Sequence, residues 1–179
     1  MKEELKVGIV GANRGSSFIA PFTAIAETKV TAICDISEDV LQGIGEKFGI
    51  QQRFTQYEEM LDQVDIVVLA TPENLHVPQS ILALQAGKHV ISEVTAAVSI
   101  EQCHQLVKTV RNSQTKYMMA ENACYNKQSV LIKNMVRKGV FGKIYFGEAE
   151  YVHDIKFLPP QCKRQPNMAL LLASRYQSL

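Results

Sequence analysis

The chain has 179 residues, 46% of them hydrophobic and 21% charged, with a formal net charge of +1. That length suits one ordinary domain, or one domain and part of another, with enough apolar residues for a core of normal size. The near-neutral balance argues against nucleic acid or another acidic polymer as partner, and no apolar run approaches the roughly 20 residues that span a bilayer.

The first residues carry charges of both signs and lead directly into a strand-like run, where a secretory signal would need a longer apolar stretch, so a soluble, cytoplasmic protein is expected. Residues 5–10 predict a strand and 11–15 a turn. Residues 16–26 can form a helix with Pro21 near its first turn, where a missing N–H does least harm. A second strand is expected over 30–34, ending at Asp35. Ser37 then caps a helix that runs to about Phe48 and stops at Gly49. Thr55 and Glu58 stand at capping-box spacing before a short helix.

Residues 64–70 are almost unbrokenly apolar, as in a strand buried on both faces of a parallel sheet. A helix from about Leu75 ends at Gly87, and residues 89–92 give the next strand. Ser99 and Gln102 repeat the capping-box spacing ahead of a helix to about Ser113, and 117–120 give a further strand. This alternation predicts an α/β fold, a doubly wound parallel sheet with helices on both faces.

Beyond Asn122 the pattern changes. Asn126 can cap a helix through Lys138 that Gly139 ends, and 141–151 alternates like a long strand, with Ile144, Phe146, Ala149 and Tyr151 apolar. From residue 155 there are four basic residues (Lys156, Lys163, Arg164, Arg175), no acidic ones, and three prolines. Three regions are therefore expected: a first domain over 1–121, the start of a second α/β domain over 122–154, and an irregular tail over 155–179. Cys34, Cys103, Cys124 and Cys162 form no C-x-x-C pair, so no metal site is expected.

The chemistry sits in the turn Gly11-Ala12-Asn13-Arg14-Gly15, between the first strand and the first helix. Glycines there let the main chain turn tightly and approach a pyrophosphate, while free N–H groups face its charge. The spacing departs from G-x-G-x-x-G, as though one glycine of G-A-G-N-R-G were missing, and a plain strand-to-helix turn would also use glycine. Asp35 ends the second strand, 20 residues after Gly15. A carboxylate there can accept hydrogen bonds from ribose hydroxyls and would repel a 2′-phosphate, which favours NAD over NADP; it also fits a polar strand end. Arg14 can reach a phosphate oxygen or stand solvated.

Residues 70–97 read ATPENLHVPQSILALQAGKHVISEVTAA. This segment resembles the Gfo/Idh/MocA oxidoreductases, whose pattern is close to A-T-P-x-x-x-H, then A-L-x-A-G-K-H-V, then E-K-P. The run Met119-Ala120-Glu121-Asn122 and the G-x-F-G-x-I-like run from Gly139 to Ile144 extend the resemblance to about residue 154. It implies a Rossmann domain followed by a C-terminal α/β domain, and NAD(P)-dependent hydride exchange with sugars, inositols or related polyols. By the same resemblance Thr71 and Pro72 line the cofactor, Asn74 and His76 sit toward the nicotinamide, Glu93 approaches the nicotinamide ribose, and Asn122 lies near the same ring. Read from the residues alone, Asn74 also fits a helix cap and His76 a packed helix histidine.

The departures fall where they matter most. The family lysine of E-K-P corresponds to Val94 and the proline to Thr95, and valine neither donates a hydrogen bond nor carries charge. Family members are much longer, so the chain is expected to hold a truncated C-terminal domain. His153 and Asp154 are adjacent and would point to opposite faces of a strand, so no catalytic residue is assigned. Two readings stay open: an NAD-dependent oxidoreductase acting on a small sugar-like substrate, and a dinucleotide-binding module or truncated product without turnover. The unpaired edge of the 141–151 strand predicts a homo-oligomer.

Overall fold

The structure, a computed structural model, describes residues 4–149. Two compact units divide between Asn122 and Ala123. The first opens with β1 (Leu5–Val10), followed by α1 (Ala12–Gly15), a 3-10 turn (Ser16–Phe18) and α2 (Ile19–Thr23). Then come β2 (Thr28–Cys34), α3 (Glu38–Phe48), β3 (Gln52–Phe54), α4 (Tyr57–Leu61) and β4 (Ile66–Leu69). The unit closes with α5 (Glu73–Gln85), β5 (His89–Ser92), α6 (Ile100–Asn112) and β6 (Tyr117–Met119).

The six strands form one sheet in the order β3-β2-β1-β4-β5-β6, and every pairing is parallel. The order reverses between β1 and β4, which makes the carboxyl ends of these two strands a topological switch point.

Side chains alternate across the sheet and are buried on both sides. Val7, Ile9, Ile33 and Val68 face one cluster, with Ile19 and Phe22 of α2 and Leu41 of α3. Val10, Ala32, Val67 and Leu69 face the other, with Met60 of α4, Val77 and Leu84 of α5 and Leu106 of α6. Each fully buried Val, Leu, Ile, Phe or Met contributes roughly 1.5–3 kcal/mol of transfer free energy, so the two faces secure the central strands against displacement. In α5 the buried positions are His76, Val77, Ser80, Ala83 and Leu84, one stripe at helical spacing.

Capping sets several boundaries. The side chain of Ser37 accepts from the Val40 N–H, and Gly49 ends α3 with φ 70°. Ser99 accepts from the Gln102 N–H, and the Gln102 side chain accepts in turn from the Val98 N–H. Other expectations need correction. Residues 12–15 are helical rather than a plain turn, and the expected helix over 16–26 divides into a 3-10 turn and α2. Thr55 caps nothing: α4 follows Gln56, which makes no side-chain cap bond. The α5 helix begins at Glu73, and Asn74 lies inside its first turn instead of capping it.

The second unit holds α7 (Lys127–Arg137), whose N-cap Asn126 accepts from the Ser129 N–H at 2.7 Å. No residue of α7 is buried, and Val130, Leu131, Ile132 and Val136 are exposed. The expected strand over 141–151 does not form across its described part, 141–149, which is exposed and has no neighbouring strand to pair with among the described residues. His153, Asp154 and the expected tail over 155–179 lie outside the described residues. Among the described residues no helix is long and apolar enough to cross a membrane, and no group of three or more His, Cys, Asp or Glu side chains could hold a metal ion.

Candidate dinucleotide site

The carboxyl ends of the strands bring most of the singled-out residues to one edge of the sheet. Gly11 follows β1, Asp35 follows β2, Thr71 and Pro72 follow β4, Glu93 follows β5, and Asn122 comes shortly after β6. Parallel pairing aligns Val10 with Leu69 and Leu69 with Ser92, so the β1, β4 and β5 ends lie side by side.

The turn after β1 depends on two glycines. Gly11 has φ 76°, a left-handed conformation, and a Cβ there would stand 2.5 Å from the Ala70 carbonyl oxygen. Its N–H donates to the Cys34 carbonyl, which ties the turn to the end of β2. Gly15 packs so close to β1 that a Cβ would overlap the Ile9 Cγ2. The turn thus keeps the glycine that starts it and the glycine that lets the helix approach the sheet; the residue omitted is the middle one. Ala12 is fully buried, Asn13 and Arg14 are exposed, and in this first turn the N–H groups precede any carbonyl that a helix could offer them.

Asp35 faces this turn. One carboxylate oxygen accepts from the Ser37 N–H at 3.1 Å and the other from the Asn13 N–H at 3.4 Å. The group is only partly buried, and a carboxylate has about four acceptor positions, so capacity remains for sugar hydroxyls. Beside it, burial first and the Asp35 charge second push the Cys34 thiol up from 9.0 to about 11, which makes it an inert core thiol.

On the other side of the switch point, the Thr71 hydroxyl donates to the Gln79 side chain at 2.6 Å, while the Tyr57 hydroxyl donates to the Gln79 carbonyl at 2.9 Å. Glu93 is 8% exposed, and its Oε1 pairs with the Arg14 guanidinium. Its Oε2 accepts from the Val94 N–H at 3.2 Å, and the Val94–Thr95 peptide is cis. Arg14 therefore neither waves in solvent nor sits in the core: it reaches from the glycine turn to the end of β5. His76 is buried, with both ring nitrogens on main-chain carbonyls, so neither is free for a ligand. Asn74 and Asn122 are exposed.

Gln79 was not singled out from sequence, because its contacts with Thr71 and Tyr57 exist only once α5 is laid against β4. A separate cavity of about 300 Å³, lined by Lys6, Lys29 and Gln63 among others, lies at the opposite ends of the strands. It has no part in this crevice.

The residues present fit a dinucleotide: a left-handed glycine, a first helical turn with Asn13 and Arg14 exposed and a carboxylate with spare acceptor positions converge at the switch point. The profile of the Gfo/Idh/MocA oxidoreductases, described as an NAD-binding Rossmann fold, matches residues 5–121. The chain belongs to this family. The Gfo/Idh/MocA profile is that of an NAD-binding domain, in agreement with the cofactor expected from Asp35.

The chain is 36% identical over 167 residues to glycosyl hydrolase family 109 protein 1 of Shewanella sp. (strain ANA-3), covering 87% of this chain and 36% of that protein. It thus spans little more than a third of the length of that curated relative. Among solved structures, the WlbA dehydrogenase from Bordetella pertussis, in complex with NADH and UDP-GlcNAcA, is 29% identical with a TM-score of 0.74, over 80% of this chain and 45% of that one. Scyllo-inositol dehydrogenase from Lactobacillus casei, with NAD(H) and scyllo-inositol, is 25% identical with a TM-score of 0.75, over 79% and 43%.

Proposed function

We propose that the 1–121 region holds NAD along the carboxyl ends of β1, β2, β4 and β5, as the coenzyme-binding part of an enzyme acting on a sugar- or polyol-like substrate. Residues from 122 on would open its second α/β domain. The observation that carries this reading is the convergence of the Gly11 turn and the Asp35 carboxylate at the switch point. Gly11, Ala12 and Gly15 shape the turn, the amides of Asn13 and Arg14 face the pyrophosphate, and the Arg14 side chain supplies positive charge. Asp35 holds the adenosine ribose and disfavours a 2′-phosphate. Thr71, Pro72, Asn74, Glu93 and Asn122 border the nicotinamide end. When bound, NAD supplies hydride chemistry. The substrate class is supported by the sugar and inositol ligands named for the two structural relatives.

A second reading, cleavage of a glycoside without net redox change, is favoured by Val94 and by the glycosidase name of the curated relative. Valine at the lysine position cannot take a proton from a substrate alcohol, so a plain dehydrogenase would need another base.

Titration of the protein with NADH and NADPH by fluorescence tests the cofactor assignment. NADH should bind more tightly, and absence of saturable NADH binding would refute the reading. Aryl glycosides and a panel of polyols then separate the two activities: release of the aryl alcohol supports the second, NADH formation the first.

A further inference from the structure

One buried side chain joins two walls of the crevice. His76, 1% exposed on α5, places Nε2 2.8 Å from the Thr71 carbonyl oxygen and Nδ1 2.7 Å from the Thr95 carbonyl oxygen. Thr71 follows β4, and Thr95 follows the Glu93-Val94 pair at the end of β5. Both distances are within N–H···O range, and the ring is shut off from water, where a hydrogen bond is electrostatically stronger and an unpaired carbonyl is costly. Both partners are acceptors, so the neutral ring donates to one of them, and only the doubly protonated ring donates to both. Because both partners are main-chain groups, the ring fixes backbone spacing irrespective of the side chains at 71 and 95.

We infer that His76 is a positioning residue: it sets the separation between the β4–α5 turn and the 93–95 segment, and through it the placement of Glu93 at the nicotinamide end. This rests on the dinucleotide reading above. Gly11 and Asp35 make no hydrogen bond to His76, and the Arg14–Glu93 pair is the contact through which the 93–95 segment meets the glycine turn.

Three variants dissect the two contacts. His76→Asn keeps an amide nitrogen close to the Nδ1 position and so keeps the Thr95 contact. His76→Gln reaches the Nε2 position, keeping Thr71 and releasing Thr95. His76→Leu keeps bulk and loses both.

In the protein without ligand, NMR backbone order parameters over 93–97 should fall from rigid values of about 0.85 toward 0.6 in His76→Leu and His76→Gln, with 35–37 unchanged. Unchanged values over 93–97 would overturn the inference. In titrations, His76→Leu should bind NADH about tenfold more weakly, equivalent to about 1.4 kcal/mol, and ADP within about twofold of the parent protein. His76→Asn should recover most of that loss. Equal weakening of NADH and ADP would overturn the inference in favour of plain packing, as would His76→Asn behaving like His76→Leu. Should His76→Leu not fold, His76→Gln carries the same expectations. A parent protein that binds neither ligand, while 93–97 loosens in the variants, would defeat the dinucleotide reading and leave the positioning role supported.

Discussion

The two ends of the crevice are built from different materials. Around Gly11 and Asp35 the main chain dominates: a left-handed glycine, first-turn amides and a carboxylate held by two backbone N–H groups. Around Thr71 and Glu93 side chains dominate: the Arg14–Glu93 pair, the Thr71–Gln79 bond and the buried His76. In the first of these, change of φ at Gly11 is the least tolerated, and Asp35 is the side chain that matters. An end built from side chains can be retuned residue by residue, and it is where this sequence leaves the family pattern, at Val94 and Thr95.

The largest effect is expected at Gly11. Gly11→Val places a β-branched side chain at φ 76° against the Ala70 carbonyl. Urea unfolding should show a loss on the order of 2–3 kcal/mol, with NADH binding abolished; retained binding would show that the adenosine end does not need this turn. Asp35→Asn comes next. Hydrogen bonds to a charged group contribute about 1.5–3 kcal/mol, so NADH should weaken about tenfold or more while the preference over NADPH narrows. An unchanged NADH to NADPH ratio would remove Asp35 from the ribose.

Arg14→Ala is milder. The arginine side chain is 62% exposed, so stability should change by less than about 1 kcal/mol, and the salt dependence of NADH binding should flatten. A melting temperature lowered as much as by Gly11→Val would make the ion pair structural. The smallest effect concerns pH. Folding raises the Cys34 thiol from 9.0 to about 11, so the native state retains a proton that the unfolded chain gives up. Its contribution is complete below about pH 9 and is lost as pH rises through about 11. Thermal melts of Cys34→Ala should show a shallower alkaline decline than the parent protein; identical slopes would place the sensitivity elsewhere.

Most of the sheet was legible because its signals are local. Ser37, Ser99 and Asn126 cap the helices the sequence assigns to them, and the apolar run ending at Ala70 holds the central strand β4. The strand β3 was not legible: it is three residues, Gln52–Phe54, paired only with β2, and carries no apolar alternation. The same division runs through the site. Gly11 and Asp35 stand out by position relative to their strands. The contacts of Arg14 with Glu93, and of His76 with Thr95, join residues far apart in sequence and appear only when β1, β4 and β5 are aligned.

Both outer strands of the sheet, β3 and β6, are three residues long. Such a rim exposes only a handful of main-chain donors and acceptors, too short a template to zip a second copy onto the sheet with any strength. Among the described residues, the surface that remains for self-assembly is side-chain surface, such as the exposed aliphatic residues of α7.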